Sequence, residues 1–411
     1  MGKIKIFHVG KWITISLVLV FLAATVFVSA SVAAATEKII KIGNIVFLEM
    51  AHSLNQVHTT QTLIDMVNEE GGIKIGNEKY KIELIVYDGE GKPDVTVAAA
   101  KRLVYQDKVK FLISDPLFID SVQPITEQNK VLYDLGMTIL PEVVLAKKNR
   151  YSFNGCTLLS LQSSLFGWLK KNHPELKTMV FIFPDDFVGH AEENAVRNMC
   201  TTIGYDDKAI SSIFFPPAMV DFSSIGTQVK MENPDIFFVS SWNWRAVRAA
   251  RDAGYTGQLV CLDMASVDQM ASVIPMEYME GLIGQADAVE FDPPLSKFAS
   301  DAKAKYIAKF GKWDYPTFCY TSHFCALKTA LEKAGSVDVD KVAEVMSKGM
   351  KFDTPSGACQ QVIRPDLGND RTVDIISELI IKQVKNGKTE LGYKISLEEA
   401  HEYFNQAIGV E

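Results

Sequence analysis

A chain of 411 residues is more than one small core requires and suits two domains. Its 50 acidic against 42 basic side chains give a formal charge of -8, and with no long Lys/Arg cluster this argues against a nucleic-acid partner. Six cysteines, Cys156, Cys200, Cys261, Cys319, Cys325 and Cys359, are too sparse for a stapled scaffold, although an oxidising compartment permits a disulfide or two.

At the start of the chain, Lys3, Lys5 and Lys11 precede the apolar run Ile13–Val28 and then "SASVAAAT". A basic segment, a hydrophobic segment and small residues in that order read as a signal peptide, residues 1–35, cut after Ala35 or one residue earlier. The run is short for a membrane span. Removing the three leader lysines takes the charge from -8 to -11. The expected mature protein is exported to the periplasm and does not span the membrane.

Beyond the leader, the pattern predicts a strand over 39–47, a helix over 58–70 closed by Gly71-Gly72, and a strand over 80–88. A helix over 93–106, a strand over 109–114, a helix over 121–129 and a short strand over 131–135 follow. Strands alternating with helices of this length indicate βαβ units and a parallel sheet covered on both faces. "KKNRYSFNGC" is polar and aromatic without a period and reads as a crossover. The rhythm then repeats: helices over 159–172, 191–203, 222–231 (with Asp221 as cap candidate) and 244–253, strands over 178–183, 209–215, 235–240 and 258–262. Helices over 296–310, 317–334 and 339–348 precede a tail of strands and turns, marked by Asn369-Asp370 and Asn386-Gly387. The expected fold is α/β, with two Rossmann-like lobes. Lobe 1 takes residues 36–152 plus about 290–370, and lobe 2 takes 153–289 plus about 371–411. Open sheets of this kind place ligands at the carboxyl ends of their strands.

The stretches "IKIGNIVFL", "MVNEEGGIKIGNEKYKIELIVYDGEGKPDVTVAAAKRLVYQDKVKFLIS", "DFSSIGTQVKMENPDIFFVSSW" and "AVRAARDAGYTGQLV" resemble the type I periplasmic binding proteins, in the branched-chain amino acid (Leu/Ile/Val) group that serves ABC transporters. The likeness runs from about Lys38 to the end. It implies two parallel-sheet lobes joined by three crossovers, a small solute bound in the cleft, closure over it, and an inner-membrane ABC permease as partner. In the family a Thr-Gly loop follows strand one; here it is "FLEMAHS", with Glu49 and His52 and no glycine. The next family loop is Gly-Pro followed by serine. Here it is "SDPLFIDS", where Ser121 matches the solute-binding serine, Asp115 replaces glycine and Asp120 adds charge. Thr138 in "LGMTIL" matches a hydroxyl position, Phe187 in "PDDFVG" stands where tyrosine is common, and Tyr320 in "PTFCYTSH" matches a region near the cleft.

The residues add their own candidates. Ser121 near a helix start lies where free N–H groups favour a carboxylate or carbonyl oxygen, unless it is simply a cap. Trp242 and Trp244 follow a strand of the second lobe, and Trp242 is the favoured cleft wall while Trp244 packs. Asp185, Asp186 and Asp263 follow strand ends and could hold a cation or amine; the first two could equally serve a turn and a helix cap. Together these suit a small organic solute with an apolar or planar part and a polar head: an amino acid, an amide, or an aromatic or aliphatic compound. No Gly-X-Ser-X-Gly elbow, metal-binding His/Cys spacing or phosphate-binding glycine fingerprint is present, so no enzyme, metal or cofactor is expected. A sensory role, offering the same cleft to a membrane receptor, is the first alternative, and an exported enzyme the second.

Overall fold

In the computed structural model, which describes residues 37–114, 118–138, 149–239, 244–261, 270–271, 273–286, 288–313, 318–367 and 372–410, two sheets carry the fold. The first part of the chain supplies β1 (Lys38–Val46), α1 (Ala51–Glu69), β2 (Ile73–Ile75), β3 (Glu78–Asp88), α2 (Pro93–Tyr105), β4 (Phe111–Ser114), α3 (Ile119–Gln128), β5 (Leu132–Asp134), β6 (Met137–Thr138) and β7 (Ser152–Phe153). Six of the seven strands form a sheet in the order β2-β3-β1-β4-β5-β7. The steps from β1 to β4, β5 and β7 are parallel, and β2 pairs antiparallel with β3.

The second set comprises β8 (Cys156–Thr157), α4 (Leu158–Asn172), β9 (Met179–Pro184), α5 (Phe187–Thr202), β10 (Ile210–Phe215), α6 (Ser223–Glu232), β11 (Ile236–Val239), α7 (Trp244–Asp252), β12 (Gln258–Cys261) and β13 (Ile283–Ala286). Then come α8 (Lys297–Phe310), α9 (Phe318–Ala334), α10 (Val339–Ser347), β14 (Lys351–Thr354), β15 (Gly357–Ile363), β16 (Thr372–Ser377), β17 (Leu379–Lys385), β18 (Lys388–Ile395) and α11 (Leu397–Ala407). The second sheet runs β10-β9-β11-β12-β13-β17-β18, parallel as far as β13 and antiparallel at β17 and β18. Both sheets are thus mixed, not purely parallel. Short hairpins make the antiparallel pairs β2–β3 and β17–β18, while β17 returns antiparallel to β13 after the long excursion through α8 to β16.

Strands such as β11, "IFFV", are buried along their whole length because helices cover both faces. In the second lobe Phe166, Phe181 and Phe238 pack ring on ring, with Phe181 and Phe238 edge to face at 5.0 Å. In the first lobe, Phe324 and Leu331 of α9 pack with Ile64 of α1 and Phe111 of β4. Helix starts are set by side chains: Thr157 caps α4, Asp186 α5, Ser296 α8 and Ser396 α11. Asp221 does not cap α6, where Phe222 occupies the cap position; instead its Oδ1 accepts bonds from the N–H and hydroxyl of Ser223. Helix α1 starts at Ala51 rather than 58, because Ser53 and Gln56 are buried and extend its inner face.

Several elements lie beyond the expected set: β2, β6, β7, β8, β13 and α11. Cys156, Cys200, Cys261, Cys325 and Cys359 are all buried, with Cys200 and Cys325 free thiols; α9 carries Cys319 and Cys325, and the Cys319 side chain lies outside the described residues. No helix among the described residues is long and apolar enough to cross a membrane.

The chain passes between the sheets three times: from β7 through β8 into α4, from β13 to α8, and from β16 into β17. Strand β8 pairs with β6, and β16 closes a three-stranded sheet with β14 and β15. At the first passage, Thr157 donates its N–H to Asp374 Oδ1 (2.7 Å) and its hydroxyl to Asp374 Oδ2 (2.9 Å). Asp374, in β16, is fully buried and also accepts from Arg364 Nη1 at 2.7 Å. Burial pushes the Asp374 carboxyl up, against the pull of Arg364 and of the Ser160 and Thr157 hydroxyls. Burial likewise opposes the charge on Arg364, but Asp366 and Asp374 outweigh it and hold the guanidinium above its ordinary value.

Candidate functional site

The carboxyl ends of β1 and β4 lie side by side, with Ile45 opposite Ser114. After β1 the chain turns through Phe47 to Met50, and the Met50 N–H donates to Phe47 O at 2.9 Å. Asp88, at the end of β3, accepts from Glu90 N–H (2.8 Å) and from Leu48 N–H (3.4 Å), linking two neighbouring loops of this edge. Glu49 projects from the turn and is exposed, and His52 falls in the first turn of α1. A hollow of about 10 Å³ behind Phe47 and Ser114 is far too small for a solute.

Helix α3 begins at Ile119, after Phe118 in the left-handed conformation (φ 60°). Ser121 is therefore its third residue, and its N–H donates to Phe118 O at 2.9 Å. The open end of this helix lies at Ile119 and Asp120, not at Ser121 as the sequence pattern suggested, because the apolar Phe118-Ile119 pair is drawn into the first turn. Asp120 and Ser121 are both exposed.

On the second sheet, β9 ends in the "PDDFVG" turn. Asp186 caps α5, accepting from Gly189 N–H at 2.8 Å, and Asp185 Oδ1 lies 2.8 Å from His190 Nε2. The His190 ring stacks on Phe214 at 4.2 Å. Both acids are thus engaged within their own turn. A Cβ on Gly189 would come 2.0 Å from Pro184 O, so the first turn of α5 presses directly on the strand end and requires glycine. Two residues earlier, Phe187 opens α5 and is 77% exposed.

The structure brings Glu49, Asp120 and Ser121 to neighbouring strand ends of one sheet, and Asp185, Asp186 and Phe187 to a strand end of the other. Thr138 lies in β6, opposite Thr157 of β8, and Tyr320 in the first turn of α9. The side chains of Thr138, Tyr320 and His52, like the whole of Trp242 and Asp263, lie outside the described residues. Trp244 opens α7 and packs against the second-lobe core.

Sequence reasoning missed a layer of buried polar groups behind the first-lobe edge. His323 Nδ1 lies 2.9 Å from Asp134 Oδ1, with both side chains buried. A Cβ on Gly155 would come 2.3 Å from His323 Cε1, so the imidazole lies against the backbone of the first passage. Asn44 in β1 is fully buried, and among the described residues neither of its side-chain polar atoms has a partner. The only sequence signal was a lone acid in "LYDLG" and a lone histidine in "YTSHFCAL". Larger grooves exist elsewhere, about 700 Å³ between α1, α8, α9 and β14 and about 480 Å³ beside β15 and α11, and neither includes a candidate residue. Among the described residues, no group of three His, Cys, Asp or Glu could hold a metal ion.

Two α/β lobes, loops at the carboxyl ends of both sheets and three passages between them define a type I periplasmic-binding-protein architecture. The periplasmic binding protein family matches residues 40–385, and the chain belongs to that family. Similar solved structures include the leucine-binding protein LivK of Thermotoga maritima MSB8, at 22% identity and TM-score 0.64, covering 88% of this chain and 99% of that one. Another is an ABC-transporter solute-binding protein of Rhodopseudomonas palustris BisB5 in complex with 3,4-dihydroxybenzoic acid, at 21% identity and TM-score 0.65, covering 88% and 98%. A third is the branched-chain amino acid transporter protein LivJ of Streptococcus pneumoniae with isoleucine, at 17% identity and TM-score 0.65, covering 86% and 99%.

Proposed function

We propose that this protein is the extracytoplasmic solute-binding component of an ABC importer, holding a small organic solute between its lobes and presenting the closed form to an inner-membrane permease. The family match across residues 40–385 carries this reading. Solute contacts with both lobes would favour the closed population, which is how binding becomes a signal. The leader pattern of residues 1–35 supports export to the periplasm.

The solute we infer has an apolar or planar body and a polar head. Phe187, exposed at a strand end, supports an aromatic or apolar wall, with Trp242 as its proposed neighbour. Glu49, Asp120 and Ser121 on the other lobe support a head that donates hydrogen bonds, as an amine or amide does. Thr138, Tyr320, His52 and Asp263 complete the proposed lining, with Asp185 and Asp186 shaping the turn that carries Phe187. Structures of similar proteins hold isoleucine in one case and 3,4-dihydroxybenzoic acid in another, so both chemistries belong in a test.

The test is a thermal-shift screen of residues 36–411, refolded to strip carried solute, against amino acids, amides, ureas and aromatic and aliphatic carboxylates. Free ligand at about 100 times its dissociation constant adds about 2.7 kcal/mol and should raise the melting point by several degrees. Hits among amines or amides are expected. Hits confined to simple carboxylates would overturn the donor-head assignment, and no hit in any class would count against solute binding. With a hit in hand, Phe187→Ala and Trp242→Ala should each weaken binding at least about 10-fold, or about 1.4 kcal/mol, by calorimetry. Unchanged affinity in a folded variant would remove that residue from the pocket.

A further inference from the structure

Two buried ion pairs lie at the passages between the lobes; the carboxylate of one is hydrogen-bonded across to a second passage, and the other pair itself joins two passages. Asp374 in β16, on the third passage, receives both the N–H and the hydroxyl of Thr157 on the first. Its counter-charge is Arg364, 4% exposed, which also forks onto Asp366 through Nε (2.8 Å) and Nη2 (2.6 Å). The Arg364 guanidinium lies 5.7 Å from the ring centroid of Phe404 in α11, so it reaches a helix packed on α4. The second pair ties the second passage to the third. Glu290 lies between β13 and α8, on the second passage, and its Oε2 is 2.9 Å from Nζ of Lys382 in β17, immediately after the third. The Lys382 side chain is 2% exposed and that of Glu290 10%.

Charges buried this deeply carry a large desolvation cost unless they stay paired. A surface pair can open with little penalty, whereas these cannot, so each pair resists separation of the segments it joins. Thr157 is also the N-cap of α4, its hydroxyl accepting from Ser160 N–H at 3.1 Å while donating to Asp374. The carboxylate therefore sits at the amino end of the first helix of the second lobe, where the helix dipole favours negative charge.

We propose that Asp374, bonded to Thr157 and neutralised by Arg364, together with the Lys382–Glu290 pair, fastens the three passages into a single joint, so that the lobes turn about one rigid pivot rather than about three independent linkers. Asp374 is its central positioning residue: it holds β8 to β16 and seats α4 on both. The joint rests on the reading that the lobes open and close, but its integrity is measurable without any solute, so failure of the joint and failure of solute binding give separate results.

The experiment is hydrogen exchange read by mass spectrometry on the full mature chain without solute, comparing wild type with Asp374→Asn and Lys382→Met. In Asp374→Asn, amides of 154–160 and 372–378 should exchange at least about 10-fold faster, while β9 and β11 keep their protection. Lys382→Met should loosen 288–291 and, through the third passage it shares, also speed exchange within 372–378; acceleration confined to 288–291 would mark an independent linker and overturn the single joint. Should Asp374→Asn fail to fold, Thr157→Val removes the hydroxyl's bond to Asp374 together with its cap on Ser160 N–H, so the joint is read at 372–378, outside the helix start, where exchange should still speed up. Unchanged protection of 154–160 in the folded variant would overturn the proposal, and so would a uniform acceleration across both sheets, which marks general destabilisation instead of a joint.

Discussion

At Asp235 one carboxylate closes the amino ends of two neighbouring strands. Its Oδ2 accepts the N–H groups of Lys177 and Thr178, each at 2.9 Å, and the Thr178 hydroxyl at 3.0 Å, while that hydroxyl accepts from Asp235 N–H at 2.8 Å. The bond from Thr178 N–H leads these in holding the Asp235 carboxyl below its ordinary value, against the opposing effect of burial. A depressed carboxyl contributes stability above its unfolded pKa and loses it as pH falls through the folded one. Asp235→Ala should therefore cost about 1–2 kcal/mol at neutral pH, discounted for partial exposure. The gap from wild type should narrow as pH drops below about 4, which urea melts across pH would show. A constant gap would mean the loss is not electrostatic. Single residues were only partly legible in the sequence. "PDDFVG" spelled a turn and a cap, but the need for Gly189 comes from the carbonyl of Pro184, whose approach depends on how α5 seats on β9. The residue type of Ser121 suggests a helix start there, whereas the left-handed backbone of Phe118 sets the start at Ile119, two residues earlier.

Among elements, β9 and β11 meet α4 in an aromatic contact of the second lobe. Phe238→Ala would empty a site bounded by Phe166 and Phe181, and should cost about 3–5 kcal/mol in urea unfolding. A loss under about 1 kcal/mol would mean the neighbours collapse into the space. The contact between α6 and α7 works the other way, by leaving no space at all. A Cβ on Gly226 would lie 2.2 Å from Ala249 O, so Gly226→Ala should force the helices apart and lower stability by about 1–3 kcal/mol; an unchanged melting point would contradict that contact. Long periodic segments such as α2 were readable because burial and period coincide. Strand β13, "IGQA", was not: it is four residues long and carries Gln285, whose Nε2 donates to Leu161 O at 2.7 Å. Helix α11 did carry its signals, the Ser396/Glu399 capping box and apolar positions at 397, 400, 403, 404 and 407, but a preceding run of strands and turns hid them.

On the scale of the whole molecule, two separate cores share three passages, and that arrangement restricts relative motion to a hinge. Small-angle scattering with a saturating hit from the solute screen should show a smaller radius of gyration than without it; equal values would count against closure. The two-lobe plan was legible because the βα rhythm repeats across a polar break. The buried contacts at the passages were not, since Glu290 and Lys382 are 92 residues apart and Thr157 and Asp374 are 217 apart, and these meet only once both lobes are built. The cysteines add a different consequence. Cys325 sits in the first core and Cys200 in the second, and burial pushes both thiols up, Cys325 to about 12. Cys200, at 0% exposure, reacts with an alkylating reagent only when its surroundings open. The second lobe therefore carries its own built-in clock. The alkylation rate of Cys200, followed by peptide mass, would time the opening of that half in unmodified protein, with Cys325, which lines the groove between α1 and α9, as the faster-reacting internal reference.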